Sequence, residues 1–522
     1  MSKKITGKKF AQNVAISLAV QIVSLIVSFV LQLIVPKFID KGQYAYWQTY
    51  VLYVGYVGVL HFGLLDGLVL RYSKYDYEEL DKARLRSQFQ ILLIFTSAIT
   101  LITALVSAFA LGGVYRYIVI FVAVGIITKN VVTYSSYMLQ ITNRIGKYAI
   151  LIIAQKVVYG LIVVVLLALH VNDFKFYCLA DLCGDAAAIV IGLFFNRGLY
   201  FGKPIAPKPA FKELKINVAS GIILMMANWS SMLMIGGAKM IVQWRWDELL
   251  FSDVSFAFAV SNVFLVFVTA ISVVLFPSLK RLDEDKLPQM YKNIRNIISP
   301  FLFIVMIFYF AGCWVLKRWL PAYAVSLKYL GILLPLIIFS SKVSLLTNNY
   351  LKVYRKEKLM LLANVISIAL GAALFVLCAY VFNSVYALLA CVVFVIMFNS
   401  VLSEIFVMKT IRVKFVKDFI IEALTTVAFI LCASLLNLWQ GCLAYLGVIA
   451  VYCAVNYKSI AEMFKTLTRK KAPEAVEKAA DKELSAESET EPQTVPYEQT
   501  VPSEQGEATE NISAEEESDE NS

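Results

Sequence analysis

Charge is scarce in this chain, and histidine is nearly absent. Of 522 residues, 16% are charged and only two are histidines, His61 and His170, which lie far apart. Soluble domains carry about 25% charged residues, so an ordinary water-soluble fold is disfavoured from the start. The eight cysteines (Cys178, Cys183, Cys313, Cys378, Cys391, Cys432, Cys442, Cys453) lie inside or at the edges of apolar runs, and none forms a CxxC pair. A disulfide framework needs cysteines in exposed loops, so these read as small buried apolar residues. The chain has no GxxxxGK[ST] phosphate cradle, which argues against an ATP-driven pump. It has no HExxH and no clustered Cys and His, so no metal or other cofactor is expected.

What is present is apolar length. Hydrophobic residues make up 59% of the chain. Runs of about 20 apolar residues, the length that crosses a bilayer, fall near 13–36, 45–70, 89–111, 117–142, 148–169, 175–196 and 216–242. They continue near 252–279, 294–316, 325–351, 359–381, 385–408, 417–437 and 440–457. The expected fold is therefore all-α, a polytopic membrane protein of about 14 spans. The first run is too long for a signal-peptide core and lacks a small-x-small cleavage site, so it is expected to be a retained helix.

The net charge of +11 hides two opposite parts. Residues 472–522 hold 16 acidic residues and two lysines, leaving +25 on the remainder. A basic excess can mean nucleic acid or membrane; the positions of the basic residues favour membrane. Alternate connections, starting from the N-terminus, carry 34 Lys and Arg, and the others carry seven. By the positive-inside rule this places both termini in the cytoplasm. Nucleic acid is not an expected partner. The acidic tail, with its imperfect repeat from Thr494 and again from Thr500, cannot bury enough apolar surface to order itself and is expected to be disordered.

No connection on the lysine-poor side exceeds roughly ten residues, which leaves little room to build an enzyme site there. The outline is that of a carrier or channel.

Polar residues inside spans must face protein or water. Asn13, Ser17, Gln21, Ser24, Ser28 and Gln32 share one face of the first span, within an arc of roughly 100°. Lys129, Thr133, Ser136 and Gln140 repeat the pattern in the fourth, within about 60°. The seventh carries Asn217, Gly221, Asn228 and Ser231, with Lys239 nearer its far end. Such spacing serves either helix packing or a wet face, and the two glutamines weigh towards the latter.

Lys129, Lys156 and Lys342 lie well inside spans, where a lysine costs roughly 2.5–3.5 kcal/mol at a helix centre. They read either as anion-attracting cavity residues or as ion-pair partners of Asp66, Asp181 or Asp185. Asp66, Asp181 and Asp185, the last two four apart on one helix face, are candidates for proton or sodium coupling or for simple counter-ions. Lys239, Lys328, Glu404 and Glu422 read as side chains snorkelling toward helix ends. More lysines than carboxylates in mid-membrane suggests a cavity that accepts an anion, and a pyrophosphate would fit.

The opening Asn13-Val-Ala-Ile-Ser, Gln21-Ile-Val-Ser-Leu-Ile-Val, Leu33-Ile-Val-Pro36-Lys-Phe-Ile and Gly42-Gln-Tyr-Ala-Tyr-Trp47 resemble the start of bacterial polysaccharide-transporter proteins. These are the O-antigen and capsule repeat-unit flippases of the multidrug/oligosaccharidyl-lipid/polysaccharide exporter superfamily. Phe62-Gly-Leu-Leu-Asp66-Gly-Leu-Val-Leu-Arg71-Tyr and Leu275-Phe-Pro277-Ser-Leu fit the same pattern. The likeness covers roughly residues 10–460.

The resemblance implies two six-helix lobes around a central cationic cavity, alternating access, and a multi-pass protein of the bacterial cytoplasmic membrane. The implied cargo is undecaprenyl-pyrophosphate-linked sugar, with membrane lipid and other polysaccharide-assembly proteins as partners. Related readings are a flippase for the peptidoglycan precursor and a drug or cation antiporter. The expected division is a basic N-terminus at 1–12, lobes at 13–200 and 201–411, two extra helices at 412–464 and the acidic tail at 465–522.

Overall fold

The computed structural model describes residues 7–280, 284–413 and 416–457, so the acidic tail and its repeat lie outside the described residues. The described residues are helical throughout, with no strand among them. Twelve helices are long and apolar enough to cross a membrane, and two bent helix pairs bring the number to 14.

The first seven spans are α1 (7–38), α2 (Lys41–His61 with Leu64–Tyr72), α3 (Lys82–Ala110), α4 (Gly113–Ile141), α5 (Ile145–Ala168), α6 (Phe174–Phe195) and α7 (Pro207–Arg245). The other seven are α8 (Glu248–Lys280), α9 (Leu287–Trp319), α10 (Pro321–Leu333 with Leu336–Val353), α11 (Glu357–Val381), α12 (Val385–Ile411), α13 (Val416–Leu435) and α14 (Leu438–Val455). Every expected span has its helix. The largest departure is α7, which starts at Pro207 rather than near 216. Proline is pre-organised for the first helical position, and the added turns are too polar to count in an apolar run.

Five of the described spans are interrupted: α9 by a turn at 306–307, α11 by a π turn over Leu377–Val381, and three others each for a local reason. Pro36 has no N–H to give to the preceding turn, and the ladder of α1 widens to a π turn over Val30–Ile34 just before it. The two halves of α10 meet at Leu334-Pro335 with a 44° bend. α2 is broken more severely, by 57°. Its first half tightens into a 3₁₀ turn over Val57–His61, after which Phe62 and Gly63 take left-handed backbone, φ 47° and 79°. Such a conformation is strained for phenylalanine and free for glycine.

The helices pack in two groups. α1 to α6 pack among themselves, chiefly α5 on α6, α3 on α4, α4 on α6 and α1 on α5. α7 to α12 do the same through α7 on α11, α11 on α12, and both halves of α10 on α12. α13 and α14 pair with each other and dock on α10 and α9. The groups meet where α2 and α3 touch α7 and where α1 and α2 touch α8.

Connections of one parity gather at one end of the bundle. At the lysine-poor end Asn172 donates to Asp40, and the Phe174 amide donates to Gln43 at 3.1 Å. At the basic end Arg86 donates to the Lys203 and Gly198 carbonyls, and Arg144 donates to Phe195 O and Asn196.

Candidate functional site

Ionisable side chains within the bundle fall into three clusters and a few isolated groups. The first cluster joins α4, α6, α5 and α2. Lys129 Nζ lies 2.8 Å from Asp181 and 2.9 Å from Asp185. Asp185 is fully buried and also accepts from Thr128 Oγ1 and Gln155 Nε2, each at 2.8 Å. The Tyr50 hydroxyl donates to Asp181 at 2.8 Å, which ties α2 to the cluster. The two aspartates stand on one face of α6 because they are four residues apart. Asp185 is the enclosed anchor, while Lys129 and Asp181 stay partly accessible, 23% and 17% exposed.

The second cluster lies between α9, α10, α12 and α13. Lys342 Nζ is fully buried, 2.8 Å from Glu404 and 2.6 Å from Glu422. Arg295 reaches Glu404 at 3.0 Å, Asp418 at 2.6 Å and Glu422 at 3.3 Å, and Tyr291 donates to Glu404 at 3.2 Å. Lys342 therefore sits inside an ion network rather than beside open space, and its partners are not Asp66, Asp181 or Asp185. Glu404 and Glu422 do not snorkel: both are buried and paired. With these carboxylates counted, the apparent excess of lysine inside the bundle shrinks to Lys156 and Lys239.

The third cluster joins the two groups of helices at the basic end. Arg71 of α2 lies 2.6 Å from Glu213 of α7 and also donates to Asn217. The Tyr72 hydroxyl donates to Glu213 at 2.9 Å. Here the backbones touch. A Cβ on Gly67 would collide with the Asn217 carbonyl, and one on Gly221 with Gly63 O and Gly67 N.

At the lysine-poor end, Lys41 of α2 pairs with Asp253 of α8 at 2.8 Å, and Ser326 of α10 donates to the same carboxylate at 2.6 Å. Aromatic rings cover this pair: Tyr44, Tyr323 and Phe256 are buried and stacked, with centroids 4.6 to 5.7 Å apart. The packing of α8 on α2 is concentrated on the first half of α2, beside this latch. The two groups are thus locked together at the lysine-poor end.

The remaining sequence candidates scatter. Among the described residues Lys156 has no hydrogen-bond or ion-pair partner, although it lies within electrostatic reach of Lys129, Asp181 and Asp185. Lys239 is likewise without a counter-ion among them and rests near the rings of Phe251 and Phe258, 5.9 and 6.0 Å from their centroids. Asn228 is exposed and Gln21 half-buried, and neither has a hydrogen bond to another described residue. Gln32 Oε1 is buried without a hydrogen-bond partner among the described residues. Thr133 and Ser136 turn their hydroxyls onto carbonyls of their own helix, at 2.7 and 3.0 Å, and so satisfy themselves locally. Asp66 is buried beside His61, its Oδ2 3.7 Å from Nε2. The side chain of Asn13 lies outside the described residues.

Sequence reasoning passed over Arg295, Asp418, the Lys41–Asp253 pair and Arg71–Glu213. All sit at the ends of apolar runs, where charge needs no special explanation. Only tertiary contact gives them a role.

No protein-family model matches the chain, and no curated protein matches it in sequence. Solved structures do match in fold. The lipid II flippase MurJ in an inward closed conformation superposes with a TM-score of 0.61 at 12% identity, covering 86% of this chain and all of that one (100%). An inward-facing multidrug-resistance MATE-family transporter of the MOP superfamily gives 0.56 at 11% identity, covering 75% of this chain and 98% of that one. An outward-facing MATE-family transporter of the same superfamily gives 0.52 at 11% identity, covering 79% and 99%. At such identities the likeness is one of fold, and the folds are those of membrane transporters rather than enzymes.

Proposed function

We propose that this chain is a flippase that carries undecaprenyl-pyrophosphate-linked oligosaccharide across the bacterial cytoplasmic membrane by alternating access. The observation that supports the reading is the pair of lysines within the spans, Lys156 and Lys239, that have no counter-ion among the described residues. An isolated amine at that depth costs roughly 2.5–3.5 kcal/mol, and a bound anion of the pyrophosphate class would offset this. Lys129 and Lys342 have protein carboxylates beside them and act as scaffold charges, Lys129 with an accessible edge. Asn228, Gln21 and Gln32 offer hydrogen bonds to a sugar head, and the lipid tail stays in the bilayer.

Positive-inside bias places the basic end in the cytoplasm. The latch of Lys41 on Asp253 then closes the far side, and because Arg71 and Glu213 join the groups at the basic end as well, entry of cargo from the cytoplasmic leaflet requires that contact to open. The proposed division has lobes at 13–200 and 201–411 with 412–464 as an elaboration, and the packing of α1 to α6 among themselves and of α13 and α14 on α10 and α9 supports it.

A second reading, transport of the peptidoglycan precursor, draws support from the MurJ fold, which matches the largest share of the chain among the three structures named above. A drug or cation antiporter draws support from Asp66, a buried carboxylate whose neighbour His61 is neutral in this arrangement, against the two lysines that favour an anion.

The test is flipping of a short lipid-pyrophosphate-sugar by purified protein in liposomes, with and without a proton or sodium gradient. Lys156→Met with Lys239→Met is expected to cut the rate at least tenfold while insertion and folding persist. An unchanged rate would remove the anion-site reading. Activity confined to lipid II would favour the second reading.

A further inference from the structure

The break in α2 contains a histidine whose hydrogen bonding ties its protonation state to the backbone. The Gly63 amide, freed from the helical ladder at the break, donates to His61 Nδ1 at 3.1 Å. Nδ1 must therefore carry a lone pair, which places the ring proton on Nε2, facing Asp66 Oδ2 at 3.7 Å. Both side chains are nearly enclosed, 8% and 6% exposed.

The surroundings offer no competing charge. α4 contributes the Asn130 amide, which donates to Val57 O at 3.2 Å, and the Tyr137 phenol, within electrostatic reach of Asp66. α3 contributes Phe95 against Phe62, and α7 contributes the backbone of Gly221 and Ile222 against Gly63. Among the described residues, no lysine or arginine forms an ion pair with either group.

We propose that His61 is a proton-binding site whose occupancy sets the bend of α2 and so couples proton uptake to movement of one helix group against the other. A proton arriving at Nδ1 turns the acceptor into a donor, and the bond from the Gly63 amide is lost. The imidazolium gains attraction to Asp66 across the break. One backbone bond at the hinge is thus exchanged for one ion pair spanning it, so the angle at Phe62-Gly63 has a different optimum in each state.

The lever is well placed. The first half of α2 carries Lys41, which holds Asp253 of α8, and the second half carries Arg71, which holds Glu213 of α7. A change of bend between them acts on both contacts at once. Histidine is the side chain that exchanges a proton most readily under mild conditions. The only other histidine, His170, sits exposed in the connection before α6 and serves as a control.

This inference rests on the transport reading, but its test does not use transport. Full-length protein in lipid nanodiscs would carry two site-specific labels, introduced as unnatural amino acids at Gly112 and Phe382. Their distance distribution would be measured in steps from pH 8 downward to the limit at which the protein stays folded. The wild-type protein is expected to pass between two distributions through a single midpoint. His61→Asn keeps an acceptor for the Gly63 amide and cannot charge, so it is expected to hold the pH 8 distribution throughout. Asp66→Asn is expected to move the midpoint to lower pH, and His170→Gln to leave it in place. Should His61→Asn be poorly folded, His61→Gln provides the same non-titrating acceptor. A wild-type distribution indifferent to pH, or an unchanged midpoint in folded His61 variants, overturns the proposal. A pH-dependent shift in protein that moves no lipid-linked sugar would keep the hinge and reject the transport reading.

Discussion

Lys342 shows what a buried charge requires. Its amine is fully enclosed and meets two carboxylates, and Arg295 satisfies the remaining oxygens. Removing one member leaves the others buried and uncompensated, a loss of about 3–5 kcal/mol. Lys342→Met is therefore expected to lower thermal stability sharply in detergent, read as loss of the monodisperse peak after heating. Lys156→Met removes an amine without a counter-ion and is expected to leave stability unchanged or improved in the same assay. The pairing of Lys129 with Asp181 and Asp185 was one of the two readings open in the sequence, because a four-residue spacing fixes one helix face. The partners of Lys342 were not legible. Glu404 lies 62 residues away and Glu422 lies 80 away, and a single helix read alone cannot show that a carboxylate faces inward rather than snorkelling. The hydroxyls of Thr133 and Ser136 were equally ambiguous, since their stripe serves carbonyls of the same helix as readily as a wet face.

At the scale of the element, hydrophobic length gave the 14 spans, since crossing a bilayer sets a minimum run that turn chemistry cannot hide. The interruptions in α2 and α10 were not visible in the same signal. Phe62 and Gly63 are as apolar as a helix interior, and only the backbone shows their left-handed angles. The contact of α2 with α7 depends on side chains that are missing. Gly63, Gly67 and Gly221 allow backbone against backbone, as small residues do where membrane helices approach closely. Gly67→Leu is expected to destabilise by about 3 kcal/mol or more, at or beyond the usual range for overpacking, because the colliding atoms belong to backbone. Loss of thermal stability together with loss of the Arg71–Glu213 contact, read by double-mutant cycle, would confirm this.

For the molecule as a whole, closure at the lysine-poor end combines the Lys41–Asp253 pair, a patch of rings and the hydrogen bonds of Tyr53 with Gln243 and Trp244. Lys41 is 24% and Asp253 10% exposed, so the pair contributes about 1 kcal/mol, a roughly fivefold bias in the balance between closed and open. Lys41→Asp is expected to raise the accessibility of a label at Ser326 by about that factor. The swap Lys41→Asp with Asp253→Lys is expected to restore closure. A single reversal without effect would show that the rings and the Tyr53 hydrogen bonds hold this end without the ion pair.

The network around Lys342 has a further consequence, for the order in which the chain is made. Glu422 emerges 80 residues after Lys342, which at 5–20 residues per second is a delay of roughly 4–16 s. For the first 62 of those residues the two cations have no carboxylate of this network, and for the last 18, roughly 1–4 s, α9, α10 and α12 hold Arg295 and Lys342 against Glu404 alone. The half-built second group is then a dication facing a single carboxylate inside the membrane. It needs shelter from lipid, by an insertase or by tilt toward the headgroups, until α13 arrives. Chains ending before Val416 should therefore fail to mature and be degraded, and supplying α13 and α14 as a separate peptide should rescue them.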